Sequence, residues 1–453
     1  MRTILLLMAA LLLFGCPAAP RYDIAIADVS VVDVETGEIL ANRHLGIRDG
    51  EVAYVGPDPA TAKLVLTGGG RWAIPGLWDM HVHIADPSFF PLFVANGVVG
   101  VRDMGGAAPA ATDGCESVEI STLRSWQALI RSGSRSGPDI VMAGQVLTGT
   151  GSSSALDATS PSKARDAVRK VAASGADFVK VYEDIPLEAL AALADETKRQ
   201  GLHFAGHVSE ETLRVIDAVR YGQRSVEHVR SNLIVCFADS NTQLEQLFEY
   251  DKWDVNDRAW STPHVDSCPE LWRELRTRDV WLTPTLAVQE TTVTAAIEGF
   301  EGDQIRLSLP DSIRLAVAAR SRELRKRTQG KLAEAQNWTR FIHRLVDQAN
   351  RQGGKILAGS DAACEGTIPG YSLHRELELL VDAGLSNLEA LQAATIEPAK
   401  YLGREERSGK LAIGYEADIV LLEGNPLEAI GNTRLINAVI IDGDVAFSRP
   451  KTD

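Results

Sequence analysis

The sequence predicts an α/β fold in which a (β/α)8 barrel is joined to a small β-sandwich domain built from both chain ends. Two observations lead to this prediction. Both ends alternate apolar and polar residues between turn signals, which is typical of antiparallel strands. The middle alternates short apolar strands with helical stretches, which is typical of parallel βα units. The 453 residues are enough for a barrel with additions.

The predicted sandwich takes residues 21–73 and 409–453. In the segment DIAIADVSVVDVETGEILANRHLGIRDGEVAYVGP, the turns ETGE and RDGE separate short strands. The segment GKLAIGYEADIVLLEGNPL near the other end has the same pattern. We therefore expect the two ends to form one domain.

The predicted barrel takes residues 74–408. Its strands are expected to end near His83, Asp103, Thr148, Tyr182, Val208, Val229, Leu286 and Asp361. Helical spacing of apolar residues is clear in LEALAALADETKRQ and EETLRVIDAVRYG, which lie between strands. Two long connections, 231–279 and 287–354, are either loops at the active-site face or helical decoration of the barrel wall, and the second favours decoration. In such a barrel, chemistry collects at the C-terminal ends of the strands.

The first residues, MRTILLLMAALLLFGC, predict export. Arg2 precedes an apolar run from Ile4 to Phe14 that is short for a bilayer span and typical of a secretory signal. The LFGC ending resembles a bacterial lipobox. This resemblance implies a signal peptide at residues 1–15, lipidation of Cys16 and a lipid anchor on a bacterial membrane, periplasmic or at the cell surface. Secretion with cleavage near PAAP is the alternative.

The charge balance limits the class of partner. A net charge of -15 argues against a nucleic-acid-binding protein and provides no basic patch for anionic lipid headgroups. We expect a small molecule or a cation as the partner, and membrane contact through the lipid anchor alone. Whether the chain forms a homo-oligomer is left open by the sequence.

Four cysteines remain after Cys16, and none has metal-ligand spacing: Cys115, Cys236, Cys268 and Cys364. Export would place them in an oxidising compartment, where four thiols allow three complete pairings. A bridge between Cys236 and Cys268 is favoured because both fall in one stretch that looks inserted. The pairing is not fixed by the sequence.

The strongest local signal of chemistry is the pair His81 and His83 in PGLWDMHVH. Residues two apart on a strand face the same side, so both imidazoles can hold one metal ion. Lys180 interrupts the apolar strand GADFVKVYE, where an ammonium is costly unless it is paired or chemically changed. Together with residues near later strand ends, the barrel would bring six groups to one mouth: His81, His83, Lys180, His207, His228 and Asp361. We therefore predict a metal site rather than a set of structural histidines.

These residues lie in motifs that resemble the amidohydrolase superfamily, in particular the branch of imidazolonepropionase-related and Xaa-Pro-dipeptidase-like enzymes. The motifs are IPGLWDMHVH, GVRDMGG, GADFVKVYE, GHV, VEHV, AGSDA, LHRELELLVDAGLSNLEALQAAT and GKLAIGYEADIVLLEGNPL. The resemblance extends over nearly the whole mature chain and is weakest in residues 231–354.

The resemblance implies a role for each of the six groups. His81 and His83 would bind the more buried of two divalent metal ions, and His207 and His228 the more exposed one. Lys180 would react with carbon dioxide to give a carbamate that bridges the ions, and Asp361 would ligate metal and act as the catalytic base.

The implied reaction is hydrolysis of an amide-like C–N bond by a metal-bridging hydroxide, in a dipeptide, an N-acyl amino acid or a cyclic amide. Zinc is the first choice of ion, with manganese, iron and cobalt as alternatives.

Three further residues are candidates for substrate binding. Arg230 follows His228 by two residues and could hold a carboxylate, although a solvated arginine is the alternative. Tyr182 should face inward with Lys180, where packing is its alternative role. His374 begins an amphipathic helix after the last barrel strand. We also expect Arg102 and Asp103 to brace the barrel mouth as a buried pair.

Two other functions are compatible with these residues. Lys180 could form a Schiff base with a carbonyl substrate, as in an aldolase-type lyase, but such an enzyme needs none of the other five groups. A non-catalytic surface lipoprotein could keep a metal-loaded barrel for binding. Amide hydrolysis is the interpretation that uses all six groups.

Overall fold

The computed structural model describes residues 21–105, 115, 117–150, 155–208, 215–228, 269–297, 309–328 and 332–450. The strands within these residues are β1 (Tyr22–Val32), β2 (Ile39–Arg48), β3 (Glu51–Gly56), β4 (Ala62–Pro75), β5 (Leu77–Val82), β6 (Val98–Asp103), β7 (Asp139–Met142), β8 (Leu147–Thr148), β9 (Leu156–Asp157), β10 (Val179–Val181), β11 (Phe204–Gly206), β12 (Ser225–Glu227), β13 (Trp281–Thr283), β14 (Lys355–Ile356), β15 (Ile419–Leu422), β16 (Ile436–Ile441) and β17 (Asp444–Ser448).

The helices of the described residues fall mainly between the barrel strands. They are α1 (Phe89–Ala95), α2 (Ile120–Arg131), α3 (Pro161–Ala173), α4 (Leu187–Arg199), α5 (Val215–Arg220), α6 (Pro269–Thr277), α7 (Leu286–Ile297), α8 (Asp311–Thr328), α9 (Leu332–Arg351), α10 (Tyr371–Asp382), α11 (Asn387–Ala393) and α12 (Ile396–Leu402), with a 3-10 helix at Ile430–Arg434. In this part of the chain, no helix combines the length and the apolar character needed to cross a membrane.

The two ends of the chain meet in one seven-stranded sheet with the order β17-β16-β15-β4-β1-β2-β3. Strand β4 joins the ends, since it pairs in parallel with β1 and antiparallel with β15. Apolar side chains of both ends, among them Ile26, Leu45, Ile419 and Ile440, are fully buried in a common core. The prediction of a sandwich domain built from both termini is confirmed.

Eight parallel strands form the barrel: β5, β6, β7, β10, β11, β12, β13 and β14. They lie in two sheets that are joined by parallel bridges, one between Val82 and Ala362 and one between Ala143 and Phe178. These bridges connect the first strand with the last and the third with the fourth, and so close the ring. The predicted (β/α)8 barrel is therefore confirmed, and the C-terminal ends of its strands share one face.

The structure differs from the prediction at the third barrel strand. Strand β7 ends at Met142, and Leu147 and Thr148 form the separate short strand β8, which pairs with β10. The sequence does not separate the two strands clearly, because only residues 143–146 lie between them and Leu147 is again apolar. The last strand is also shorter than expected, since β14 ends at Ile356, ahead of Asp361.

The two long connections are described to different extents. Most of residues 231–279 lies outside the described residues, and α6 is the helix seen at its end. Residues 287–354 contain α7, α8 and α9, where α7 packs against α8, α9 and α10. The described part of this second connection is mainly helical, as expected.

Candidate metal centre

Four histidine rings lie in a row at the mouth of the barrel. The ring centroids of His83 and His81 are 5.5 Å apart, those of His81 and His228 are 4.7 Å apart, and those of His228 and His207 are 4.7 Å apart. His81 lies on β5 and His83 just after it, while His207 and His228 follow the ends of β11 and β12. The barrel thus brings together side chains that are far apart in sequence.

Asp361 completes this row from the segment after β14. Its Oδ1 atom lies 3.4 Å from Nε2 of His81 and 3.2 Å from Nε2 of His83, and its Oδ2 atom lies 3.9 Å from Nδ1 of His228. Possible ligand atoms of His81, His228 and Asp361 lie within 4.8 Å of one another. Imidazoles around a carboxylate form a donor set that suits a divalent transition-metal ion.

Two buried polar atoms in this cluster have no hydrogen-bond partner among the described residues. They are Nε2 of His81 and Oδ1 of Asp361. A buried polar atom without a partner costs free energy, and such atoms are rare in folded proteins. A metal ion between them would satisfy both, so the residues present fit the metal that their arrangement implies.

The backbone turns sharply where the strands reach the site. His228 and Asp361 have φ angles of 61° and 57°, and Thr285 after β13 has a φ of 52°. This left-handed region is unfavourable for residues other than glycine, above all for a β-branched one, and such strain concentrates at functional sites. Thr285 Oγ1 lies 2.6 Å from Nδ1 of His228, so the same turn also orients the ring.

The second nitrogen of His81 contacts a buried carboxylate. Nδ1 of His81 lies 2.9 Å from Oε2 of Glu227, and Nη2 of Arg102 donates to both oxygens of Glu227 at 2.8 Å. Burial alone would raise the pKa of Glu227, but Arg102 lowers it to about 2. The expectation that Arg102 pairs with Asp103 is wrong, because Asp103 accepts hydrogen bonds from the backbone amides of Ile84 and Gly105 instead.

A second buried carboxylate braces the segment that carries Asp361. Asp79 on β5 accepts hydrogen bonds from the backbone amide of Ser360 at 2.9 Å and from its hydroxyl at 2.5 Å. Burial raises the pKa of Asp79 to about 7, although these hydrogen bonds oppose the shift. Asp79 therefore ties the first barrel strand to the end of the last one, directly beside the site.

The protonation of the cluster suits metal binding. Burial lowers the pKa of His81 to about 4, which leaves its imidazole neutral at neutral pH. Burial by itself favours the neutral acid at Asp361, but His81, His83 and His228 hold its pKa below the ordinary value. Metal ligands must be deprotonated, and both of these groups meet that requirement.

Lys180 lies on β10 with 2% of its surface exposed. Burial is the main reason for the low pKa of His81, and the charge of Lys180 lowers that pKa further. Lys180 also helps to lower the pKa of Glu227, after the larger effect of Arg102. The amine is thus close enough to these two groups to act on them electrostatically.

The three substrate-binding candidates differ in what the structure shows of their surroundings. The half-buried ring of Tyr182 packs on His207 with a centroid distance of 4.1 Å, so it lies at the end of the histidine row. His374 is fully buried, and its ring nitrogens contact Thr433 Oγ1 at 3.0 Å and the carbonyl of Asn96 at 3.1 Å. These contacts give His374 a structural role, and they speak against substrate contact. Arg230 and Cys16 lie outside the described residues.

A disulfide joins Cys115 to Cys364, three residues beyond Asp361. The backbone amide of Cys364 donates to the carbonyl of Asp361 at 2.8 Å, so the bridge ties the connection after β6 to the metal centre. The sequence did not single out this pairing, since thiols far apart in the chain give no spacing signal. The predicted Cys236–Cys268 bridge lies outside the described residues.

Sequence reasoning also missed Glu227 and Thr285. Glu227 could have been found, because it directly precedes the predicted ligand His228 in the motif VEHV. Thr285 gave no signal, because a threonine after a strand is common and its contact with His228 depends on the local turn.

The chain is similar to known proteins over most of its length. Residues 72–446 match the model of the "Amidohydrolase family". Ochratoxinase of Aspergillus niger is 24% identical in an alignment of 452 positions that covers 87% of this chain and 80% of that protein. A solved Xaa-Pro dipeptidase with bound methionine has a TM-score of 0.66 at 19% identity and covers 94% of this chain and 100% of its own. Bottromycin amidohydrolase has a TM-score of 0.68 at 24% identity, covering 93% and 86%.

Proposed function

Because this chain belongs to the amidohydrolase family and is a hydrolase that acts on carbon–nitrogen bonds, we propose that it cleaves an amide-like bond of a small molecule with the help of bound divalent metal ions. The substrate would be a dipeptide, an N-acyl amino acid or a cyclic amide. The observation that supports this most is the buried pair of unsatisfied atoms, His81 Nε2 and Asp361 Oδ1, among four histidines at the barrel mouth.

Two divalent ions, with zinc as the first choice, would be held by six residues: His81, His83, Lys180, His207, His228 and Asp361. Lys180 would contribute through a carbamate formed with carbon dioxide. Its burial supports this step, because a desolvated amine gives up its proton more readily than an exposed one. Bound divalent ions supply an activated water and polarise a carbonyl group.

Asp361 is the proposed general base. Its carboxylate would take a proton from the attacking water and pass it to the leaving amine, a transfer that requires a group within hydrogen-bond reach of both. The Nε2 atoms of His81 and His83 lie 3.4 and 3.2 Å from its Oδ1 atom, so the carboxylate is next to the proposed metal ligands. Tyr182 lines the mouth beside His207, where it would contact the substrate.

The relatives support the reaction class. One is a Xaa-Pro dipeptidase and another an amidohydrolase of bottromycin, so proteins of this fold act on amide bonds in different molecules. The curated relative is an ochratoxinase. The names of these relatives support the type of bond that we propose is cleaved, and they do not identify the substrate.

The test is a screen of dipeptides, N-acyl amino acids and cyclic amides with zinc-loaded protein. Wild type should release a free amine from members of at least one class, and Asp361→Asn should lower kcat by about three orders of magnitude, in the range that loss of a proton-transfer group and metal ligand together would give. Glu196→Gln, a buried carboxylate on α4 away from the site, is the matched control and should keep full activity. Equal rates in wild type and Asp361→Asn would contradict the proposal.

The carbamate has its own test. A crystal structure grown with bicarbonate and zinc should contain density for a carboxyl group beyond Nζ of Lys180. A free amine at a distance from both ions would exclude the two-metal version. Irreversible trapping of Lys180 by borohydride in the presence of a ketone substrate would instead support the Schiff-base lyase.

We also propose that the chain is exported and anchored by a lipid on Cys16, after removal of a signal peptide at residues 1–15. The Cys115–Cys364 disulfide supports export, because such bridges persist in oxidising compartments. In a bacterial host, labelling with a fatty-acid analogue should mark the wild type and not Cys16→Ser. Labelling of both proteins would contradict the anchor.

A further inference from the structure

Glu227 lies between a metal-ligand candidate and a buried arginine. One percent of its surface is exposed. On one side its Oε2 atom lies 2.9 Å from Nδ1 of His81, and on the other side both of its oxygens accept hydrogen bonds from Nη2 of Arg102. Ser225 on the same strand also donates to Oε1. The carboxylate is therefore held in one position by partners on three sides.

Arg102 is itself held by partners on two barrel strands and on α12. Its Nε donates to the carbonyl of Met80 at 2.6 Å, and its Nη1 donates to the hydroxyls of Ser225 at 2.8 Å and Tyr401 at 2.9 Å. The guanidinium also lies 4.8 Å from the centroid of the Tyr401 ring. A planar fork with this many partners cannot turn away, so Glu227 keeps its orientation.

The contact between Glu227 and His81 determines which ring nitrogen carries the hydrogen. A carboxylate only accepts hydrogen bonds, so Nδ1 of a neutral His81 must be the donor. The lone pair is then on Nε2, which is the atom that lies 3.4 Å from Asp361 and has no hydrogen-bond partner among the described residues. The lone pair on Nε2 of His81 is therefore directed so that it can bind a metal ion at the mouth of the barrel.

We propose that Glu227 is a positioning residue that fixes the tautomer and ring orientation of His81 for metal binding, and that Arg102 holds Glu227 in this role. The inference rests on the metal site of the proposed function and adds a determinant of its affinity. Carboxylate partners of histidine ligands orient the ring and increase its basicity. Asp361, which shares the cluster, cannot replace Glu227, since it faces Nε2 of His81 and not Nδ1.

The first test measures metal affinity by competition with a chelator. Glu227→Gln should weaken binding of Zn²⁺ and Co²⁺ about 10- to 100-fold and change the visible spectrum of bound Co²⁺, because a neutral amide polarises His81 less and can turn its nitrogen toward the ring. Arg102→Lys should show a smaller loss, since it keeps the charge but loses the fork. Glu196→Gln makes the same chemical change at a buried site on α4 and should bind both ions like the wild type.

The second test needs no variant at Glu227 and so decides the matter if Glu227→Gln fails to fold. In metal-free wild type labelled with ¹⁵N-histidine, the signal lost in His81→Asn should belong to a ring with hydrogen on Nδ1 and none on Nε2. The opposite tautomer, or affinity of Glu227→Gln within about threefold of the wild type, would overturn the inference and leave the proposed function intact. A wild type that binds neither ion would overturn both.

Discussion

Nε2 of His81 and Oδ1 of Asp361 face each other across 3.4 Å inside the protein, and neither has a hydrogen-bond partner in the part of the chain that the structure describes. His81 comes from the first barrel strand and Asp361 from the segment after the last one. The site is therefore assembled at the seam where the barrel closes. An ion bound there would hold that seam together as well as supply the chemistry.

We expect metal ions to stabilise the folded chain. A ligand that binds only the folded state adds about 2.7 kcal/mol when its concentration is 100 times its Kd. Thermal unfolding of chelator-treated protein should therefore begin at a lower temperature than unfolding of the zinc-loaded protein. Asp361→Asn should lose most of this difference, because it removes an anionic ligand. Identical unfolding curves with and without zinc in the wild type would contradict a built metal site.

The disulfide should be a second source of stability. Cys115 and Cys364 are separated by 249 residues, and a bridge that closes a long loop restricts the unfolded chain. Replacing both cysteines by serine should lower the free energy of unfolding by about 2–4 kcal/mol in urea titrations. A reductant should destabilise the wild type more than the double variant, which keeps only Cys236 and Cys268 of the four cysteines that follow Cys16. An equal effect of reductant on both proteins would show that another bridge is responsible.

The sequence was most informative where a polar or charged residue stands in a segment that is predicted to be a buried strand. His81 and His83 are two residues apart on one predicted strand, and Lys180 places a charge in an apolar strand. Each of these signals is visible in the sequence without a structure. The confirmed fold class followed from strand and helix periodicity, which is a local property of the chain. These features depend on residues that are close together in sequence.

Features that depend on three-dimensional closure were not predictable in the same way. The sequence favours a pair between Arg102 and its neighbour Asp103, whereas the barrel brings Arg102 to Glu227, which is 125 residues away. The Cys115–Cys364 bridge likewise joins segments that only the closed ring makes adjacent. The third barrel strand is shorter than predicted, because β8 follows β7 closely in sequence but pairs with β10. In each case the partner was set by topology.

Gly359 should be essential for the position of His81. A Cβ atom added there would lie 2.8 Å from Cβ of His81 and 2.6 Å from Cγ2 of Thr283, both closer than real contacts allow. Gly359→Ala should therefore cost about 1–3 kcal/mol of stability, as overpacking does, and also weaken metal binding by displacing the ring. Urea unfolding and chelator competition measure the two effects.

Gly431→Ala is the matched control for this prediction. The nearest atom to an added Cβ at Gly431 is Oε1 of Glu378 at 3.4 Å, and the residue is remote in sequence from the ligands. The Gly431→Ala variant should therefore bind metal with the affinity of the wild type. If Gly359→Ala bound zinc as tightly as this control, the close approach to His81 would have no functional meaning.

Glu376 should make stability depend on pH. It lies fully buried on α10, where Oε2 accepts the backbone amide of Ala287 at 2.7 Å, and burial raises its pKa from 4.5 to about 8. Between these values the folded chain holds a proton that the unfolded chain has lost. The free energy of unfolding should therefore fall as pH rises from 4.5 to 8, by at most about 1.4 kcal/mol per pH unit from this group.

Glu376→Gln removes the titrating group and keeps an acceptor for Ala287. Relative to the wild type, this variant should gain stability steadily from pH 5 to pH 8, and urea unfolding of metal-free protein at several pH values would measure the gain. Metal-free protein is required because metal affinity also varies with pH. Glu188→Gln, the same change at an exposed position on α4, should keep the slope of the wild type. A constant difference between Glu376→Gln and wild type across this range would mean that Glu376 is already ionised in the folded chain.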